Sequence, residues 1–549
     1  METKKEQQVI ATYDLCGLQN YIFRTNRLKD IIGASVLVDE IFKEALNSAM
    51  KKCEIPEANC ELKWEEKVSD LKDGDILPKG KDIQILYEGG GSQYILYRDK
   101  ETARKINRHM AKYVMEHSYS LQLAMAMVDK TDDYAADIRK LQLEIEQAKR
   151  EMPYAGYLGA LPIMKTDLLT GFPISKERTQ GFAEEVSQEV LCKRKYMQNE
   201  TEESKQSEQS KQLNSFGKEF GKDSTIAIVH IDGNNMGLRI KELIGNGSIK
   251  DYPKAIAMMR QISKNIKRSF QETYEQMEKK LHEHIESGKS SFLKQNQAYL
   301  RKIIIAGDDI TFVCNAQIAL SLVEFFAEDI SKKQMYNPTE SEEEKDKYSF
   351  SVCAGIAYIH SHFPFSTGYQ VAEACCGNAK KRAKKLVKEQ RYNNIGNWVD
   401  FQICKSVHTQ DLENDREKDY LLAGGNRLEL RPYRIGTSND NEEGKKYDSL
   451  NWFKKCYLCF SNTNKDKNKI ADSAAQTLRN IYPLGAEKVQ EYVEFIKSRG
   501  KKLPGEEAFK SISTSEQQSE KAECKGKTAL WYDALEMLGL YEKIMSDEE

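Results

Sequence analysis

The chain has no run of about 18 consecutive apolar residues, and its opening stretch, METKKEQQVIATYDL, holds no apolar signal core. These absences predict a cytoplasmic protein that neither spans a membrane nor carries a secretion signal. A charge surplus is missing as well, since 83 basic and 85 acidic side chains leave a net charge of −2. Proteins that coat polyanions are strongly basic, so contacts with nucleotides or nucleic acid must come from local patches. The 12 cysteines form no disulfide framework and read as reduced, mostly buried thiols. No His-Asp dipeptide occurs, and His282 and His284, two apart on a predicted helix, do not make a His-Glu-x-x-His zinc site.

What remains is a chain of 549 residues, 40% of them hydrophobic, long enough for three or four domains. Segments 199–212, 337–347, 438–446 and 511–525, rich in Ser, Glu, Lys and Asn, punctuate it as linkers or loops. Between them, one order of elements occurs twice. The first copy has an apolar run from Val9 to Leu15, a helical stretch from Gly17 to Phe42 and a hairpin at 83–97 turning at Gly89-Gly90-Gly91-Ser92. A helix near 101–117 and a strand near 121–128 complete it. The second copy has a strand at 225–231, long helices and a hairpin at 302–313 turning at Ala306-Gly307-Asp308-Asp309. A helix near 316–331, a strand near 350–359 and a basic helix near 366–388 follow.

Asp14 precedes Gly91 by 77 residues and Asp232 precedes Asp308 by 76, the mark of an internal repeat. The order βαββαβ predicts two ferredoxin-like domains of α/β (α+β) class, at 1–130 and 223–405. A helical segment and linker (131–222) joins them, and a helical domain (406–549) follows, with helical periodicity in Ala474-Ala475…Leu478…Ile481 and Leu530…Leu535…Leu538.

Chemistry concentrates in the second copy. Asp232 ends a buried strand beside Gly233-Asn234-Asn235-Met236-Gly237, a turn into a helix whose free N–H groups suit phosphate. Asp308 and Asp309 sit at the tip of the hairpin that a ferredoxin-like sheet places next to that strand. Three converging carboxylates suit Mg²⁺ or Mn²⁺ and phosphoryl-type transfer at a nucleotide. An Asp at a hairpin tip is more often a solvated turn, and an Asp before a helix is commonly only an N-cap. What separates this pair is their joint placement, with Gly91 and Ser92 at the matching point of the first copy.

These residues resemble the large polymerase-like subunit of type III CRISPR effector complexes, a relative of the GGDEF-type cyclases with two palm domains. Tyr13-Asp14-Leu15 through Ile22 with Gly33-Ala34-Ser35 is similar to the opening of the first palm, and Glu88-Gly89-Gly90-Gly91 to its degenerate hairpin. Asp232 to Gly237, Ala306 to Asp309, Ala354-Gly355-Ile356 and Leu430-Arg431-Pro432-Tyr433 resemble second-palm segments and one just beyond. The resemblance implies synthesis of cyclic or linear oligoadenylate messengers from ATP, by 3′-hydroxyl attack on an α-phosphate. It also implies nucleoside triphosphates as ligands, and guide-RNA complex subunits or a second copy as partners. Asp232, Asp308 and Asp309 would hold metal; Gly233, Asn234, Asn235, Gly237 and Gly307 would approach phosphate, and Lys380 or Lys384 the pyrophosphate.

Departures accompany the likeness. Ala306 stands where the hairpin usually opens with Gly, and Asn234 where relatives often show a second Asp. The first palm begins near residue 8 with no His-Asp nuclease domain, so no DNase activity is expected. The Thr166–Pro173 stretch keeps a Gly-x-Pro turn without the zinc thiols that relatives tend to carry. Those departures leave two other readings open, a non-catalytic nucleotide-binding scaffold and a cyclase using GTP or mixed nucleotides. Among weaker features, Lys381, Arg382 and Lys385 read as a solvated face, and His360 and His362 as a loop near the nucleotide base. Cys456 and Cys459 read as buried thiols rather than half of a zinc site, and Gly526-Lys527-Thr528 is no P-loop, since Lys521 replaces its first glycine.

Overall fold

The computed structural model describes residues 7–89, 91–152, 161–175, 185–198, 216, 224–244, 248–288, 293, 299–336, 348–405, 411–421, 427–436, 446–461, 470–505 and 529–544. The polar stretches 199–212, 337–347 and 511–525, all but the last residue of 438–446, Gly90, His408, Cys524 and the 526–528 triplet lie outside them.

Two mixed sheets form the framework. The first copy runs β1 (Val9–Cys16), α1 (Leu18–Phe23), α2 (Leu28–Lys52), β2 (Cys60–Glu61), β3 (Ile83–Gly89), β4 (Ser92–Tyr97), α3 (Lys100–Ser118), β5 (Gln122–Asp129) and α4 (Tyr134–Glu151). After α5 (Gln188–Gln198) the second runs β6 (Thr225–Gly233), α6 (Met236–Leu243), α7 (Tyr252–Glu286), β7 (Leu300–Ala306), β8 (Asp309–Asn315), α8 (Ala319–Ile330), β9 (Val352–His360) and α9 (Phe365–Lys388). Strand orders are β2-β3-β4-β1-β5 and β11-β10-β9-β6-β8-β7, where β10 is Asn397–Ile403 and β11 is Tyr433–Ile435. Each sheet therefore contains the antiparallel ferredoxin-like core, with its first strand at the centre.

The central strands read as near-continuous apolar runs because both faces are covered: Val9, Ile10 and Ala11, and Ile226 to Val229, are fully buried. Asp99, Asp133 and Asp251 cap α3, α4 and α7 by accepting from backbone N–H groups in the first turn. At β9, Gly355 lets α9 lie against the sheet; a Cβ there would meet the Ala372 carbonyl oxygen at 1.8 Å.

Two boundaries differ from the sequence reading. Helix α4 packs on β5 and β1 as α9 packs on β9 and β6, so the repeated unit runs one helix past residue 130. Segment 406–549 is not purely helical, because its strand β11 pairs with β10, which itself lies parallel to β9. Among its described residues are also the helices α10 (Leu412–Tyr420), α11 (Leu450–Phe460), α12 (Asp472–Ile481), α13 (Ala486–Ser498) and α14 (Tyr532–Glu536). Helices α11 to α14 share the second sheet's hydrophobic core. Two buried arginines fasten this end: Arg416 holds both oxygens of Asp400 at 2.9 Å, and Arg431 holds Asp533 at 2.5 Å and Glu536 at 3.1 Å. The Cys456 thiol is buried against the Leu530 carbonyl, whereas Cys459 is only half-buried.

The two copies clasp each other reciprocally. Helix α2 packs on β7 of the second sheet, and α7 packs on β3 of the first. Arg260 of α7 reaches into the bulge of β3, donating to the carbonyls of Leu86, Ile85 and Lys67 at 2.7, 3.1 and 2.8 Å. On the other side Phe23 of α1 stacks on Tyr369 of α9 at 3.9 Å between centroids. No helix among the described residues is long and apolar enough to cross a membrane.

Candidate active site

The β6–β8 register sets Asp232 directly opposite Asp309, and Ala306 pairs with Asp309 across the hairpin. The loop between them is Gly307-Asp308, with a left-handed φ of 65° at Gly307 that a glycine supplies without strain. Gly233 lies under the loop: its N–H donates to the Asp308 carbonyl at 3.2 Å, and a Cβ on it would come within 2.7 Å of Asp308 Oδ2. The three predicted carboxylates are thus brought to one end of the sheet.

Crowding like charges in a poorly solvated place disfavours their ionisation. Burial and then Asp232 push Asp308 up to about 6. Asp309 rises to about 8, through burial first and then Asp232, Asp308 and Glu373. Lys380, from α9, ion-pairs with Asp232 and donates to the Gly233 carbonyl at 3.2 Å. Burial works against its ammonium, but Asp232 holds its pKa above the ordinary lysine value. Lys384, one turn on, is exposed, so only Lys380 of the two candidates reaches the carboxylates.

Other predicted residues fall nearby with different orientations. Asn234 turns away from the hairpin: its amide nitrogen donates to the Gly396 carbonyl at 2.9 Å and to Ser351 Oγ at 3.3 Å. Its Oδ1 is buried and accepts no hydrogen bond among the described residues. Asn235 takes a left-handed φ of 54° as the N-cap of α6, and Gly237 is exposed in that helix's first turn. Ala306 lines the adjoining cavity. His360 and His362 do not lie near this place. The antiparallel β6–β9 register pairs Thr225 with His360 and Asp232 with Cys353, which puts the histidines at the opposite end of the strand.

The sequence reading missed four residues here. His230, two before Asp232, shares its face by strand alternation, and its Nδ1 lies 3.3 Å from both Asp309 Oδ1 and Thr311 Oγ1. Burial pushes His230 down to about 4, so it stands neutral. Glu373 and Tyr369 lie on the same side of α9 as Lys380, and Gln19 of the first copy donates to both, at 2.9 and 3.0 Å. Alternation along β6 could have found His230; the other three depend on how the copies pack.

No three His, Cys, Asp or Glu side chains among the described residues converge as a ready-made metal cage. The donors are nonetheless hard oxygens of the kind Mg²⁺ and Mn²⁺ take. Apart from His230 Nδ1 at 3.3 Å, the buried Asp309 Oδ1 has no hydrogen-bond donor among the described residues, and Gly233 keeps clear the space a side chain would fill. Beside the carboxylates opens a cavity of about 390 Å³. It is walled by Gly17–Asn20, Ile22, Ser35, Val38 and Asp39 of the first copy and by Ile304, Ala306, Asp309 and Tyr369 of the second.

Residues 225–388 match the family model described as Cas10/Cmr2, second palm domain. No curated protein sequence matches the chain. In fold it is similar to a chain of the Csm1–Csm4 cassette in complex with pppApA, at TM-score 0.54 and 13% identity over 98% of this chain and 70% of that one. The cassette in complex with cA4 gives 0.53 with the same identity and coverage. The Csm1–Csm4 subcomplex of the type III-A CRISPR-Csm interference complex gives 0.52 and 13% identity over 98% and 71%. The matched segment contains the three carboxylates and Lys380, and the chain carries a second palm domain of the Cas10/Cmr2 family.

Proposed function

We propose that the chain is a nucleotidyltransferase of palm-polymerase type, which joins ATP into cyclic or linear oligoadenylate messengers as a large subunit of a type III CRISPR effector. The observation that carries this reading is the register that sets Asp232 against Asp309, with Asp308 beside them and Lys380 on Asp232, at the mouth of a cavity shared by both copies. In fold the chain is similar to Csm1–Csm4 cassettes crystallised with cA4 and with pppApA.

In the reaction the 3′-hydroxyl of one nucleotide attacks the α-phosphate of another, forming the O3′–P bond and releasing pyrophosphate. Asp232, Asp308 and Asp309 would hold Mg²⁺ or Mn²⁺, which when bound lowers the charge on the phosphates and the attacking oxygen. Lys380, paired with Asp232, would take the departing phosphates as its partner in exchange for that carboxylate. The Gly233 and Asn234 N–H groups are bonded to the Asp308 and Ser351 carbonyls, so the N–H groups offered to phosphate are those from Asn235 to Gly237 at the start of α6. The cavity takes the rest of the nucleotide out of bulk water. The first palm supplies its opposite wall and, through Gln19, a hold on Glu373 and Tyr369. Subunits of a guide-RNA complex are the proposed partners.

A second reading, a scaffold that binds nucleotide without turnover, is favoured by Asn234, whose amide is committed to Gly396 and Ser351. The experiment is a mass-spectrometric product assay with each NTP and with mixtures, in Mg²⁺ and in Mn²⁺. The catalytic reading expects oligonucleotide product from the intact protein and none from Asp308→Ala/Asp309→Ala. Product from that variant would sink the carboxylate assignment. Nucleotide binding without product, even with complex subunits and target RNA added, would favour the scaffold, and product from GTP alone would replace ATP as substrate.

A further inference from the structure

The cavity beside Asp309 has walls of Leu18, Ile22, Val38 and Ile304, a setting suited to a flat ring, and polar side chains that the phosphate chemistry leaves unused. Two of them, Ser35 and Asp39, stand one turn apart on α2 and so share the face that lines it. Neither side chain has a hydrogen-bond or ion-pair partner among the described residues. Solvent reaches Asp39 through the open cavity, yet the surrounding protein desolvates its carboxyl and raises it to about 6, with Lys302 opposing. At pH 8 Asp39 is therefore a carboxylate, which accepts hydrogen bonds and donates none.

An acceptor-only group in an apolar slot selects by what the entering edge can donate. Adenine presents an exocyclic amine next to a ring nitrogen that accepts, whereas uracil presents one N–H between two carbonyls. We propose that Asp39 is a specificity-determining residue, accepting an N–H from the amino group of the entering base while the Ser35 hydroxyl donates to the adjacent ring nitrogen. This rests on the reading that a nucleotide enters the cavity with its phosphates at Lys380 and the three carboxylates. A hydrogen bond to a charged group discriminates against a ligand that lacks the donor, here to the extent that the bound ring covers Asp39 from solvent.

The test is equilibrium binding to the full chain at pH 8, in Ca²⁺ to hold back turnover. The ligands are ATP and purine riboside 5′-triphosphate, which keeps the ring nitrogen and lacks the amine. The native protein should bind ATP about tenfold or more tightly than the riboside analogue. Asp39→Ala should bring that ratio to about one, and Asp39→Asn, which keeps an acceptor, should retain part of it. Equal affinity for the two ligands in the native protein, or a ratio that Asp39→Ala leaves unchanged, would overturn the assignment while the nucleotide site stands. If neither ligand binds, the proposed function fails and this inference fails with it.

Discussion

Asp14 and Asp232 occupy the same position in two copies of one topology, and their surroundings differ in what the facing hairpin carries. Each lies near the end of its sheet's central strand, opposite the first residue after a two-residue hairpin loop: Ser92 faces Asp14, and Asp309 faces Asp232. Each also pairs with a lysine from the closing helix. Lys149 lies 20 residues past the end of β5 and 2.5 Å from Asp14, and Lys380 lies 20 past the end of β9 and pairs with Asp232. The hairpins then diverge. In the first, the left-handed φ of 77° falls on Gly91, the second loop residue; in the second, the 65° falls on Gly307, the first. The second loop position therefore carries no side chain in the first hairpin, where it is Gly91, and a carboxylate in the second, where Asp308 sits at an ordinary φ. The first palm thus keeps the aspartate–lysine half of the site, with Ser92 Oγ donating to Asp14 at 3.1 Å, and lacks the two carboxylates across from it.

That contrast can be broken most sharply at the hairpins. Asp308→Ala/Asp309→Ala should lower product formation by about a thousandfold or more. Ser92→Ala should stay within about threefold of the native rate, as steady-state assays would read. Next in size are the lysines. Lys380→Ala should cost about a hundredfold, in line with losing one charged contact to a transferring phosphoryl group, and Lys149→Ala little. Equal losses from the two would mean that both palms hold reacting phosphates. The close approach at Gly355 gives a stability effect: Gly355→Ala should destabilise by about 1–3 kcal/mol. Gly237→Ala, where an added Cβ would meet nothing within 4 Å among the described residues, should raise no clash, and denaturant melts compare the two. Smallest is Asn234→Ala, expected to cost about 1 kcal/mol through the lost bonds to Gly396 and Ser351. A loss of Mn²⁺ affinity in that variant, read by titration, would instead make Asn234 a ligand.

Much of this framework was legible before any coordinates. Short apolar runs ending at Asp14 and Asp232, and glycine at both hairpin turns, announce a repeated βαββαβ unit because strand burial and turn geometry are local matters. The three carboxylates followed from that topology. Strand β10 was obscured by its own chemistry: Asn397, Asp400 and Gln402 are buried polar residues, and Asp400 is tolerable there because Arg416 and Asn378, from separate helices, donate to it. Gln19, Tyr369 and Glu373 meet only because α1 of one copy packs on α9 of the other, a contact that no spacing within either copy encodes. The histidines at 360 and 362 follow a site strand in sequence, but nearness in sequence does not say which end of the strand they reach. The antiparallel register puts them at the other end.

The central claim is that two copies of one fold divide the labour, with chemistry in the second alone. Its most direct measurement is the same substitution made in each copy, Asp14→Asn and Asp232→Asn, followed by mass-spectrometric detection of oligonucleotide product under conditions where the native protein is active. Product should vanish with Asp232→Asn and persist near the native level with Asp14→Asn. Loss of product with Asp14→Asn in a folded protein, or its survival with Asp232→Asn, would contradict the account.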